Sequence, residues 1–252
     1  MKLADWTESE PADVGFDRER LEKVATLASS RGGASWLVVL RDGEVVLDRR
    51  TNCPPDALFY SFSVSKPFVA LAIHLLAQRG ALSLDDPVAR HWPEYAVNGK
   101  EQITLRHVLT HRSGVPFSSG SLVGDALAST DWDRSVEFAR TARPRWPAGQ
   151  FVGYQVLSFG FILGEVVRRV SGLRIEDFLA TEFFKPLRLP GIRLGLSDAR
   201  RPRAVPLVSR GLVQLGSRVT FNRETVRSAI IPAAGISAGA HDMARFLSLI
   251  HI

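Results

Sequence analysis

A serine stands three residues ahead of a lysine at one place in these 252 residues, Ser63-Val64-Ser65-Lys66. The pairing matters because a serine hydroxyl is a weak nucleophile until a base takes its proton, and a desolvated lysine can be that base. Lysine is scarce here: among 32 lysines and arginines, the lysines are Lys2, Lys23, Lys66, Lys100 and Lys185. In so arginine-biased a chain a lysine marks a place where a guanidinium would not serve, since Arg keeps its charge and cannot exchange a proton. Taken alone, the four-residue match also fits a serine capping a helix with a solvated lysine on its first turn.

The elements around the pair decide whether it can work. Phe68, Leu71, Ala72, Leu75 and Leu76 recur at helical spacing, which predicts a helix opening at Ser63 with Lys66 one turn on and on the same face. Pro67 suits the first turn, where its missing N–H has no intrahelical partner to lose. The same helix start offers backbone N–H groups to a developing oxyanion. Upstream, residues 16–28 read as a helix with Leu21, Val24, Ala25 and Ala28 on one side. Residues 36–40 and 44–48 read as a hairpin around Arg41-Asp42-Gly43. Downstream, the acids and proline of residues 82–87 suit a turn into another helix. Phe159, Ile162, Leu163, Val166, Val167 and Val170 form a long 3.6-period stripe closed by Gly172. Residues 192–219 carry short apolar runs broken by Gly, Pro and Arg, which predicts irregular chain with short strands.

Composition narrows the classes. A hydrophobic content of 45% is that of a globular chain. The net charge of +6 and pI near 10.0 raise nucleic acid as a partner, but the arginines are scattered. Their densest cluster is Arg200, Arg201 and Arg203, with no basic stripe interleaved with aromatics, so no nucleic-acid partner is expected. Cys53 is the single cysteine, which excludes an internal disulfide and a cysteine metal cluster. Asp5 and Glu8 stand where a signal peptide needs an apolar run, and no apolar stretch reaches the roughly 18 residues of a membrane span. A cytoplasmic protein without membrane contact, metal or cofactor is expected. Its oligomeric state is not set by these patterns.

Longer segments carry a family likeness. The β-prone Ala57-Leu58-Phe59-Tyr60 leads into Ser63–Lys66, and Leu109-Thr110-His111-Arg112-Ser113-Gly114-Val115-Pro116 comes well downstream. Trp146-Pro147-Ala148-Gly149-Gln150-Phe151-Val152-Gly153-Tyr154 then runs into Phe159-Gly160-Phe161-Ile162-Leu163-Gly164-Glu165. This order resembles the serine β-lactamase-like family, which comprises class C β-lactamases, DD-peptidases and family VIII carboxylesterases, from about Gly15 to the end. The resemblance implies Ser63 as nucleophile, Lys66 as the base sharing its proton, and Tyr154 as the tyrosine that helps activate the serine and the deacylating water. Of Tyr60, Tyr95 and Tyr154, the last alone stands between the Pro-Gly turn and the long helix. A tyrosine packed at a helix start, with its hydroxyl in a capping bond, is the other reading of that position. His111 falls in what the resemblance makes a structural turn, and His74 reads as an ordinary helix residue.

One departure bears on substrate. The lactamases and peptidases read Tyr-x-Asn, where the amide helps hold the substrate's amide group, whereas this chain reads Tyr154-Gln155-Val156. Valine cannot make that contact, so the likeness leans to the family VIII esterases.

Gly235-Ile236-Ser237-Ala238-Gly239 matches the G-x-S-x-G elbow of α/β-hydrolases but fails on order. That fold needs an acid and then a histidine downstream, and the residues after it offer only His241 and Asp242 side by side and His251 near the end. A glycine-rich strand-to-helix turn accounts for the match.

The expected fold is α+β: an antiparallel sheet flanked by helices, formed by residues 1–84 and 206–252, with a mainly helical domain at 85–205 and the site at the junction. The expected function is a serine hydrolase acting through an acyl-enzyme on small carboxylic esters, with a small-molecule ester or amide as its partner. A lactamase or peptidase of the same family, and a chain that keeps the fold without turnover, are the alternatives. The resemblance also implies further sheet strands beyond residue 252, so a truncated piece with an incomplete sheet is expected. Leu247-Ser248-Leu249-Ile250-His251-Ile252 is moreover the translation of a common transposase-end sequencing adapter, which makes a foreign tail the expectation there.

Overall fold

The computed structural model describes residues 7–208 and 215–249. Asp5, His251 and the rest of 1–6, 209–214 and 250–252 lie outside the described residues. The chain opens with helix α1 (Arg18–Ser30), whose N-cap Asp17 accepts the Arg20 N–H. The expected apolar side narrows on folding: Leu21 and Ala25 are buried against Val46 and Leu47, whereas Val24 is half exposed. A helix resting on a two-stranded hairpin covers only a thin stripe. That hairpin, β1 (Ser35–Arg41) and β2 (Glu44–Thr51), is antiparallel and closes through Asp42 and Gly43 at φ of 50° and 87°. Two consecutive positive φ values are what a tight hairpin of native twist requires.

Strand β3 (Phe59–Tyr60) follows, then α2 (Lys66–Gln78), α3 (Val88–His91), α4 (Leu105–Leu109), α5 (Leu122–Ala128), α6 (Trp132–Thr141), α7 (Ser158–Ser171) and α8 (Ile175–Leu179). Strand β4 (Ile192–Leu194), helices α9 (Leu215–Phe221) and α10 (Glu224–Ser228), strand β5 (Ile236–Ala238) and helix α11 (Ala240–Ser248) complete the order. The second sheet runs β3-β5-β4, with both pairings antiparallel. The fold is thus a mixed α/β one with small antiparallel sheets among helices. Within 192–219 the expected short strands reduce, among the described residues, to β4 and a bridge between Leu58 and Ala204.

The principal core forms where α2 crosses α7: Phe68, Val69, Ala72, Ile73 and Leu76 pack with Ile162, Leu163, Val166 and Val167. Phe68 also stacks on Phe246 of α11 at 3.8 Å, and Ile236 and Ala238 of β5 join the same core. Gly172 ends α7 in the left-handed conformation, φ 74°, donating its N–H to Arg168 O. Burying side chains of this size stabilises by roughly 1.5–3 kcal/mol each. The core therefore fixes α2, α7 and β5 against one another, and the candidate site lies at their meeting point.

Lys100 and the arginine cluster are both tied into the fold. Lys100 is fully buried, its Nζ donating to Val97 O, Arg140 O and Ala142 O, each at 2.8 Å. The arginine cluster is divided among partners: Arg200 reaches Pro190 O, Arg201 pairs with Asp198 and Glu224, and Arg203 with Asp56.

Candidate active site

Ser63 does not sit in the first α-helical turn. It occupies a 3-10 turn, Phe62–Ser65, that feeds α2 at Lys66. Two features hold this turn. Phe62 adopts φ 46°, a conformation that a bulky residue rarely takes unless its surroundings impose it. Its ring meets Tyr60 at 5.0 Å and Phe221 at 4.9 Å, both edge-on. Ser65, fully buried, donates through Oγ to Phe62 O at 2.6 Å and accepts the Ile236 N–H at 3.0 Å, pinning the turn to β5. Sequence reasoning assigned Ser65 nothing; its place inside the motif, beside a predicted helix start, was the available signal.

Ser63 is exposed while Lys66 is 6% exposed beneath it. Lys66 Nζ lies 3.2 Å from Ser63 Oγ, 2.9 Å from Val156 O and 3.2 Å from Ala233 O. Burial pushes the ammonium below the ordinary lysine range, and contact with the Tyr154 phenol only partly offsets this. The three partners suit an amine that gives up its proton. Two N–H bonds can stay on the carbonyls, which only accept, while the lone pair faces the serine hydroxyl.

Tyr154 closes the group. Lys66 Nζ is 4.9 Å from its ring centroid. Burial raises the phenol's pKa, but hydrogen bonding to Ser63 and Lys66, with the Lys66 charge, outweighs this and leaves it below the usual tyrosine range. The structure thus brings Ser63, Lys66 and Tyr154 together. The capping alternative for Tyr154 does not hold, since α7 begins four residues later and its N-cap, Leu157, makes no side-chain capping bond. Tyr60 and Tyr95 are buried elsewhere.

Glycines set the approach of the segments that carry these groups. A Cβ on Gly160 would come within 2.3 Å of Ala233 N, so only glycine lets α7 rest against the segment whose carbonyl receives Lys66. A Cβ on Gly153 would meet the Trp146 ring at 2.4 Å, directly before Tyr154. His111, at φ 58°, accepts the Gln155 N–H through Nδ1 at 3.2 Å and the Gly153 N–H through its carbonyl at 2.8 Å. His74 is exposed on α2.

Val156 contributes its carbonyl, while its side chain packs beside Leu157, Phe161, Val226, Ile231 and Ala234. Ser237 is fully buried in the middle of β5, paired across to Tyr60 and Arg193. The residues after it point elsewhere, His241 to Asp48 and Asp242 to the Gly191 N–H. No nucleophile elbow exists there. Among the described residues no three His, Cys, Asp or Glu side chains are grouped to hold a metal, and no helix is long and apolar enough to cross a membrane.

Comparison with known proteins bears on the family and the fold. The chain is 32% identical over 187 residues to Esterase/beta-lactamase LipL of Mycobacterium tuberculosis, covering 69% of this chain and 42% of that protein. It is 34% identical over 178 residues to Esterase EstB of Burkholderia gladioli, covering 64% and 45%. It therefore spans less than half the length of either relative. Among solved structures, a penicillin-binding protein homologue from Caulobacter crescentus superposes with a TM-score of 0.79 at 27% identity, over 98% of this chain and 71% of that one. A family VIII carboxylesterase superposes at 0.78 and 22% identity, over 94% and 68%, a likeness of fold. The beta-lactamase family model matches residues 19–251, and with the Ser63, Lys66 and Tyr154 cluster where α2, α7 and β5 converge, the chain belongs to the beta-lactamase family.

Proposed function

We propose that this chain carries the reacting centre of a serine hydrolase that works through an acyl-enzyme on small carboxylic esters. The observation that carries the proposal is the 3.2 Å contact between a buried Lys66 amine and an exposed Ser63 hydroxyl, with two carbonyls holding the amine in place. In this reading Ser63 Oγ attacks the ester carbonyl as its proton passes to Lys66 Nζ. The tetrahedral adduct then collapses, its C–O bond breaks, and the departing alkoxide takes a proton relayed from Lys66 through the Tyr154 hydroxyl. Water enters, loses a proton to the Tyr154–Lys66 pair and attacks the acyl carbon. Ser63 leaves with a proton and the carboxylic acid departs.

Ester is favoured over lactam by Val156. Its side chain is turned into an apolar cluster and presents no amide to a substrate amide. Close in sequence to Ser63 and Tyr154, the side chains of Val64, Phe151 and Val152 are exposed and apolar, which suits uncharged acyl or alcohol groups. The names of the two curated relatives, one an esterase and one an esterase/beta-lactamase, support the same reading. We also read residues 1–84 with 206–252 as one lobe and 85–205 as the other, with β4 bridging them through its pairing to β5.

The test is to treat the protein with a fluorophosphonate probe, a short-chain p-nitrophenyl ester and a chromogenic cephalosporin. Labelling of Ser63 with ester turnover is expected. Cephalosporin turnover equal to or faster than ester turnover would select the lactamase alternative, and absence of both labelling and turnover the alternative without catalysis.

A further inference from the structure

We propose that His111 is the positioning residue that holds the Tyr154 phenol in register with Ser63 and Lys66, acting through an acceptor nitrogen that must stay unprotonated. Tyr154 stands on an extended loop ahead of α7 and is half exposed, so packing alone does not fix it. What fixes the loop is His111. Its carbonyl takes the N–H of the residue before Tyr154 and its Nδ1 takes the N–H of the residue after, at 2.8 and 3.2 Å. Its ring lies 4.7 Å from the Tyr154 ring and 5.2 Å from Phe159. One residue, itself at φ 58°, thus bonds the backbone on both sides of Tyr154 and lays its ring against the phenol ring.

A backbone N–H needs an acceptor, and an imidazole nitrogen accepts only while it carries no proton. Nδ1 accepting from Gln155 requires the neutral ring with its proton on Nε2. Protonation replaces the acceptor with a donor pointed at an N–H and sets a cation beside Lys66. The titratable groups facing His111 are Lys66 from α2 and Tyr154 from its own loop. Arg112, its chain neighbour, turns to Gly149 O. Burial first, and Lys66 repulsion second, keep the ring neutral to a lower pH than an ordinary histidine. The device therefore holds at neutral pH and lets go in acid.

This inference rests on the proposed function, and the experiment separates the two. The rate of Ser63 labelling by a fluorophosphonate is measured from about pH 5 to 9 for wild type, Tyr154→Phe, His111→Ala and His111→Asn, with the wild-type His111 ring followed by NMR. Asn tolerates a left-handed backbone and its Oδ1 can accept the same N–H. The expected results are a loss on the order of 10–100-fold for His111→Ala, recovery of most of the rate in His111→Asn, and an acid limb in wild type that coincides with the ring titration and moves to lower pH in His111→Asn. If Tyr154→Phe labels at the wild-type rate, the reading of the site fails and the inference falls with it. If Tyr154→Phe is slow but His111→Ala keeps the wild-type rate and acid limb, or His111→Asn is as slow as His111→Ala, the inference alone is overturned. The same holds if the ring titrates away from the wild-type acid limb.

Discussion

Gly160 lies so close to Ala233 that a methyl group on it would stand 2.3 Å from the Ala233 nitrogen and 2.9 Å from the Ala233 Cβ. Ala233 O is one of the two carbonyls that hold Lys66, so the width of a glycine on α7 governs where the amine sits.

Gly160→Ala tests this relationship. Backbone must give way, because the nearest atom is not a flexible side-chain end, and forced overpacking typically costs about 1–3 kcal/mol. We expect a lowered melting temperature together with slower acylation of Ser63, out of proportion to the fraction unfolded. A variant that is destabilised yet labels at the wild-type rate when folded would show that the Ala233 carbonyl is dispensable.

Exchanging Lys66 probes the proton rather than the charge. Lys66→Arg should fail nearly as badly as Lys66→Ala, by about 10²–10⁴-fold in kcat/KM, since a guanidinium keeps its proton at any working pH. Ser63→Ala should abolish fluorophosphonate labelling and Ser237→Ala, deep in β5, should leave most of it. In wild type, burial holds the Lys66 pKa below the ordinary value, so the neutral amine appears as pH rises through that lowered pKa, and acylation should climb with it. Labelling rates across the alkaline range check the sign.

The scarcity of lysine singles out more than one position. It marks Lys66, and it applies equally to Lys100, the other lysine buried among the described residues. Type and rarity point to both, but only spatial neighbours separate a lysine facing a serine from one facing three carbonyls. The acceptors Val156 O and Ala233 O were illegible for a related reason: a backbone carbonyl has no side-chain signature, and 167 residues separate Ala233 from Lys66. The left-handed Phe62 was likewise hidden, because no local propensity favours that conformation for a phenylalanine; the ring contacts and the Ser65 bond impose it. By contrast the hairpin at Asp42-Gly43, the Gly172 cap and the α2 and α7 stripes are set by short-range patterns, and they stand as read.

Lys100 carries its own prediction. Burial brings its ammonium down to about 8, whereas the unfolded chain keeps an ordinary lysine. Between about 8 and the normal lysine range near 10.4 the unfolded chain binds a proton that the folded one has released, so stability should rise with pH across that window. Below it both states are charged and the contribution is lost. Lys100→Met should flatten this slope and, by leaving three buried carbonyls without their donor, lower stability by roughly 1–3 kcal/mol or more. Thermal melts of both proteins over the alkaline range provide the measurement.

Gly153 offers the last test, because its neighbour can be changed to compensate. A Cβ there would strike the Trp146 ring at 2.4 Å, and Gly153 sits between the His111 carbonyl that it bonds and the Tyr154 phenol that it carries. In Gly153→Ala the loop must lift off Trp146, and Tyr154 moves with it. We expect kcat to fall by on the order of 10–100-fold with KM little changed, the pattern of a displaced reacting group rather than a lost binding contact. Trp146→Leu removes the obstructing ring, and its indole N–H has no partner among the described residues to lose. The double variant should therefore recover part of kcat, giving a coupling between two touching residues well outside simple addition. If the two changes merely add, the glycine is not there to clear the tryptophan.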